Sequence, residues 1–148
     1  MLTLFKFIHL ASAIVWVGGM AFVMLALRPV AATLLPPPQR LPLMAAALGR
    51  FFIAVWVSIA LLVTTGYAMM AIAGMKGAPL GWHLMMGIGL LMVALFGHIY
   101  FVGYKRLKRA VAASDWPAGA KALGTIAAFV HANFALAWLA IAAVVFIK

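Results

Sequence analysis

Four long apolar runs constrain this chain more than any other feature of its sequence. They cover about 2–27, 51–75, 82–104 and 124–147 of the 148 residues. A helix needs roughly 20 apolar residues to cross about 30 Å of hydrocarbon, and each run is long enough. A hydrophobic content of 69% and a mean hydropathy of +1.22 do not fit a soluble domain. The sequence therefore predicts an all-α integral membrane four-helix bundle that forms one transmembrane domain over residues 1–148.

Local signals place the ends of these helices. Arg28-Pro29 is expected to close the first helix, Gly49-Arg50 to open the second, and the segment 77–81, which holds two glycines and a proline, to make a tight second connection. The basic run 105–109 is expected to close the third helix. The first apolar run is longer than the apolar part of a signal peptide, so we expect it to remain as a spanning helix.

The basic residues predict an orientation. Cations near short connections favour the cytoplasmic side of a membrane, and eight flank the first and third connections against three on the other side. Both termini are therefore expected outside, and the first and third connections on the cytoplasmic side. The expected location is a bacterial-type inner membrane. The eight are Arg28, Arg40, Arg50, Lys105, Arg106, Lys108, Arg109 and Lys121, and the three are Lys6, Lys76 and Lys148.

Four histidines within apolar segments are the main candidates for function, because polar groups in a membrane are usually functional. From their positions along the helices, His9 and His83 are expected near the outer face, and His98 and His131 in the cytoplasmic half. Two imidazoles at one depth on neighbouring helices are what a six-coordinate haem b requires. The sequence predicts that all four histidines bind haem iron, in two bis-histidine sites that carry electrons across the bilayer.

Part of the chain resembles a known superfamily. The segment Phe5-Lys6-Phe7-Ile8-His9-Leu10, followed by Trp16 and by Gly18-Gly19, is similar to the first helix of the CopD and HemJ-like four-helix membrane proteins. Trp82 and His98 in the third helix extend the resemblance. It implies a haem-associated or copper-associated inner-membrane protein with His9 as the family ligand.

The resemblance favours the CopD-like branch over the HemJ-type protoporphyrinogen oxidases. Those oxidases have a lysine in the third helix, where this chain has Met85-Met86, and an Asn-Glu pair in the fourth, where Asn133 is followed by Phe134.

Copper is the alternative to haem. Thioethers are preferred ligands of Cu(I), and with no cysteine in the chain any such site must use His and Met. Methionines cluster near the expected level of His9 and His83, which favours an outer Met/His site in a copper-binding or copper-resistance protein. The candidate ligands are Met69, Met70, Met75, Met85 and Met86. In a third alternative, the histidines only form hydrogen bonds between helices of a structural subunit.

Conventional enzyme chemistry finds little support. The sole acidic residue, Asp115, is expected to cap a helix ahead of Pro117, so no hydrolytic or transferase site is visible. The possibility of a haem-dependent membrane oxidoreductase remains open, with quinone or a redox partner to exchange its electrons. No nucleic-acid partner is expected, because no recognition module is present. The bilayer is the expected environment, and a homo-oligomer is left open.

Overall fold

The structure is a computed structural model and describes residues 1–147. Four helices in it are long and apolar enough to cross a membrane: α1 (Leu2–Leu34), α2 (Pro37–Ala73), α3 (Leu80–Ala112) and α4 (Trp116–Phe146). Residues 1–147 contain no β-strand, so the predicted all-α membrane bundle is confirmed. Lys148, one of the three cations assigned above to the outer side, lies outside the described residues.

Every helix is longer than the apolar run that predicted it. At 1.5 Å per residue the four helices are about 46 to 56 Å long, against about 30 Å of hydrocarbon. Gly49-Arg50 does not open α2, and the basic run does not close α3. The first connection shrinks to Leu35 and Pro36. Most of the cations expected in loops therefore lie on helical turns beyond the apolar segments.

Arg28-Pro29 does not end α1 either. The helix widens into a π turn at Val23–Leu27 and then continues as an α-helix over Arg28–Leu34. Proline lacks an N–H and its ring crowds the carbonyl four residues earlier, so a helix that continues through proline must change its hydrogen bonds. The π turn supplies that change immediately before Pro29.

The remaining helix starts follow simple rules. Pro37 and Pro38 occupy the first turn of α2, where a missing N–H costs nothing. Asp115 caps α4 by accepting a hydrogen bond of 3.0 Å from the Ala118 N–H, and Pro117 follows in the first turn. The capping role predicted for Asp115 is confirmed.

The helices pack as two hairpins, α1 along α2 and α3 along α4. Aromatic rings join the hairpins in the interior. The Phe96 ring centroid lies 5.3 Å from that of Phe52, 5.1 Å from that of Trp56 and 6.1 Å from that of Trp16. These edge-on contacts connect α1, α2 and α3.

The bundle has two ends of different chemistry. The basic end is defined here by residues 28–50 and 103–125, which include the first and third connections. The Met-rich end is defined by residues 1–9 and 65–86, which include the second connection. Six of the ten methionines lie at the Met-rich end, and eight of the eleven lysines and arginines lie at the basic end.

Close packing at Gly81 yields a prediction for stability. A Cβ atom on Gly81 would collide with the backbone carbonyl oxygens of Ala143 and Ile147, and backbone cannot rotate away as a side chain can. Gly81→Ala is expected to lower the free energy of unfolding by about 1–3 kcal/mol. Gly87→Ala in the same helix meets open space and is expected to be neutral or slightly stabilising. Denaturation in detergent measures both, and equal effects would contradict the packing.

The orientation remains a prediction from charge, and cysteine labelling tests it. The chain has no cysteine, so Lys76→Cys and Ala113→Cys each introduce a single exposed thiol. With the basic end in the cytoplasm, an impermeant thiol reagent should label position 76 in intact spheroplasts and position 113 only after permeabilisation. The reverse pattern would invert the orientation, and labelling of both positions from one side would contradict a spanning α3.

Candidate functional site

His9 lies at the Met-rich end, in the interface between α1 and α2. Its Nδ1 atom is 2.9 Å from the Thr65 hydroxyl oxygen. Gly66 permits this approach, since a Cβ there would lie 3.3 Å from the imidazole Cε1. These neighbours lie about two turns before α2 ends at Ala73, and the membrane depth of His9 stays a prediction.

The hydrogen bonds of Thr65 define the tautomer of His9. The Thr65 hydroxyl donates to the backbone carbonyl of Leu61, with an oxygen–oxygen distance of 2.6 Å. A hydroxyl has one proton, so Thr65 accepts from His9, and Nδ1 carries the ring proton. The lone pair of a neutral His9 is then on Nε2, and an imidazole fixed through Nδ1–H is the usual arrangement for a metal ligand.

Met69 extends this site toward the membrane surface. Positions 62, 65, 66 and 69 lie on one face of α2 because the helix repeats every 3.6 residues. Thr65 and Gly66 show that this face packs against His9. Met69, half-buried, is one turn farther along the same face, and Met70 beside it is buried. Met69 thus lies one turn beyond the residues of α2 that contact His9.

The other candidate methionines lie at the same end but elsewhere on its surface. Met75 is exposed beside the second connection, and Met85 and Met86 are half-buried in the first turns of α3. His83 is exposed near the start of α3. These residues share the level of His9, but they belong to the other hairpin or to the second connection.

His98 and His131 are exposed on the outside of the bundle. The His98 ring packs against Phe129 of α4, with centroids 4.9 Å apart. His131 donates from Nδ1 to the Ala127 carbonyl in its own helix, at 2.6 Å. Among the ring contacts of residues 1–147 none joins two histidines, and the same residues contain no cluster of three or more His, Cys, Asp or Glu. The bis-histidine pairs stay a prediction.

Asn133 is a polar residue in the core whose environment the sequence did not indicate. Its side chain is 1% exposed, and its Nδ2 donates to the Met92 carbonyl of α3 at 3.2 Å. The Oδ1 atom has no partner among the described residues. An amide in an apolar run signals a polar contact, but the run alone does not identify the partner helix.

Comparison with known proteins identifies the family. The family model of CopD, described as copper resistance protein D, matches residues 45–147. The chain belongs to the CopD family. No curated protein and no solved structure matches the chain significantly.

The CopD match covers α3, α4 and most of α2. His83, His98, His131 and the five candidate methionines lie inside it, whereas α1 with His9 lies outside. The assignment of His9 as the family ligand therefore depends on the first-helix resemblance and on the local geometry. The family name points to copper and gives no support to haem b, iron or electron transfer.

The His9–Thr65 contact can be tested by a double-mutant cycle. Thr65→Val keeps the shape of the side chain but removes the acceptor for His9, so it should lower stability in the wild type and have less effect beside His9→Ala. The expected coupling is about 0.6 kcal/mol, the mean for side-chain hydrogen bonds between membrane helices. Thr64→Val is the matched control, because the Thr64 hydroxyl bonds only the Ala60 carbonyl of its own helix. If the coupling energy between positions 9 and 65 equals the one between positions 9 and 64, the result would contradict the His9–Thr65 contact.

Proposed function

We propose that this CopD-family protein binds copper as its cargo at the Met-rich end of the bundle. The observation that carries the proposal is that the His9 ring packs against the face of α2 that also carries Met69, in a chain of the copper resistance protein D family. Imidazole and thioether are both ligands suited to Cu(I), and the chain has no thiolate to compete with them.

His9 and Met69 are the proposed first ligands, and Met70 is the next thioether along the helix. The exposed Met75 and His83, together with Met85 and Met86, would supply further donor atoms through which copper reaches or leaves the interface. Copper is proposed as the cargo and not as a resident cofactor, because nothing in the donor set requires a resident ion for folding.

We further propose that the four helices act as one membrane domain in an inner membrane, with the Met-rich end outside. The sequence expectation of two haem b groups, and of quinone or another redox partner, has no supporting observation. We therefore place copper binding ahead of electron transfer.

Competition with a colorimetric Cu(I) chelator tests the site in detergent-purified full-length protein. Loss of a hydrogen bond that only supports a metal ligand lowers the metal affinity about 10–100-fold. Loss of the ligand itself is therefore expected to lower the Cu(I) affinity at least about tenfold. His9→Ala and Met69→Leu should each weaken Cu(I) binding at least about tenfold. His131→Ala and Met24→Leu are the controls, the latter a half-buried methionine one turn before the basic end.

Three results would contradict the proposal. Unchanged binding in His9→Ala would remove His9 from the site, and equal losses in Met69→Leu and Met24→Leu would indicate non-specific binding by thioethers. An absorption spectrum of protein from haem-replete cells gives the third check. A stoichiometric low-spin haem b signal lost in the histidine variants would favour the haem prediction instead.

A further inference from the structure

A cavity with a volume of about 500 Å³ lies at the basic end, between α3 and α4. The last turns of α3 and the first turns of α4 form its walls. Ala113 and Asp115 of the third connection close it at the membrane surface. It is separate from the His9 interface, which lies at the opposite end of the bundle.

Three cations line the surface end of this cavity: Arg106, Arg109 and Lys121. Arg106 and Arg109 are three residues apart and so share one face of α3. Asp115 is the chain's sole acidic side chain, and its carboxylate already caps α4. Three positive groups therefore converge where the chain can supply at most one carboxylate.

Neighbouring lysines on the same helix point elsewhere. The Lys105 ammonium lies over the Phe101 ring at 5.4 Å, and that of Lys108 lies over the Tyr104 ring at 5.0 Å. Neither lysine lines the cavity. The basic run 105–109 is thus divided into two arginines that face the cavity and two lysines that rest on aromatic rings.

The cavity changes character toward the middle of the bundle. Its deeper walls are mainly apolar, with Ile99 and Val102 from α3 and Ile126 and Phe129 from α4, and the His98 ring, packed on Phe129, also lines the deep end. From Arg109 to Ile99 the helix rises about 15 Å. A charged mouth at the membrane surface and an apolar channel toward the bilayer centre match the two ends of a phospholipid.

We propose that this cavity binds an anionic phospholipid. Its phosphate lies between Arg106, Arg109 and Lys121, and one acyl chain lies along the apolar walls. Guanidinium groups bind phosphate through two parallel hydrogen bonds, and basic pockets between membrane helices are suited to anionic head groups. Charge complementarity determines the lipid class. A zwitterionic head group would bring its own cation next to the three cationic side chains, whereas an anionic head group brings only negative charge.

The test uses the full-length protein and vesicles of phosphatidylglycerol or phosphatidylcholine, with bound lipid counted by native mass spectrometry after transfer to detergent. The wild type should retain phosphatidylglycerol in preference to phosphatidylcholine. The double variant Arg106→Gln/Arg109→Gln should reduce that preference by at least about tenfold, since each surface cation contributes about 1 kcal/mol to anionic-lipid binding.

The matched control is Lys105→Gln/Lys108→Gln, which removes the same charge from the same helical turns but leaves the cavity intact. Its preference for phosphatidylglycerol should remain within about twofold of the wild type. Equal losses in the two double variants would overturn the proposal, because they would indicate diffuse attraction to the net positive charge.

A third variant separates a lipid from free phosphate. Val102→Trp fills the apolar part of the cavity and leaves all three cations in place, so it should abolish lipid retention. Inorganic phosphate at millimolar concentration should not displace phosphatidylglycerol from the wild type. Lipid retention by Val102→Trp, or displacement by phosphate alone, would overturn the assignment of an acyl chain to the cavity. Helicity and gel-filtration profiles establish that each variant is folded.

Discussion

The absence of water from the bilayer interior is the constraint on which this structure depends. A polar group there must find its partner within the protein, and the four helices satisfy the backbone by their own hydrogen bonds. Three side-chain bonds then tie each helix to the next: His9 to Thr65 joins α1 to α2, Tyr104 to the Ala45 carbonyl joins α2 to α3, and Asn133 to the Met92 carbonyl joins α3 to α4. They lie at the Met-rich end, the basic end and the middle, so the bundle is fixed at three depths.

The same constraint explains which part of the fold could be predicted from the sequence. The length of an apolar run reports the part of a helix that lies inside the hydrocarbon, so the number and order of the helices followed from hydropathy alone. The run does not measure the whole helix. The turns of Lys105–Ala112 bury Leu107 and Ala110 against the bundle while their four cations stay exposed. Such amphipathic turns continue the helix outside the hydrocarbon, and a charge run read as a loop therefore gave the wrong end.

The candidate site shows a similar division between depth and direction. Depth follows from counting residues along a helix, and the contact with Thr65 places His9 about two turns from the end of α2. Direction depends on how each helix is rotated against its neighbours, which one sequence does not contain. His83 and His98 are 15 residues apart, which places them about 60° apart around α3, and both are exposed in the structure. A shared face is therefore compatible with a face on the outside of the bundle.

Thr65 illustrates why the partners of a site are harder to predict than its ligands. The sequence offers Thr64 and Thr65 side by side, and both hydroxyls donate to a carbonyl of their own helix. Only the 100° between consecutive residues makes Thr65 face His9 while Thr64 is exposed. The resulting tautomer of His9, which decides whether Nε2 can bind a metal, thus depends on a helix rotation and not on residue type.

The separation of the two ends has an electrostatic consequence. In the proposed function, a Cu(I) ion bound at His9 would add positive charge to a chain that already has eleven lysines and arginines and one acidic residue. Most of those cations lie at the basic end, about 30 Å away across the hydrocarbon. Charges exposed to the aqueous phases are screened within about 8 Å at physiological ionic strength, so the basic end contributes little repulsion at the Met-rich end. The proposed copper site and the proposed phosphate site can therefore occur in one small bundle, because the membrane keeps the two ends of the bundle at opposite surfaces.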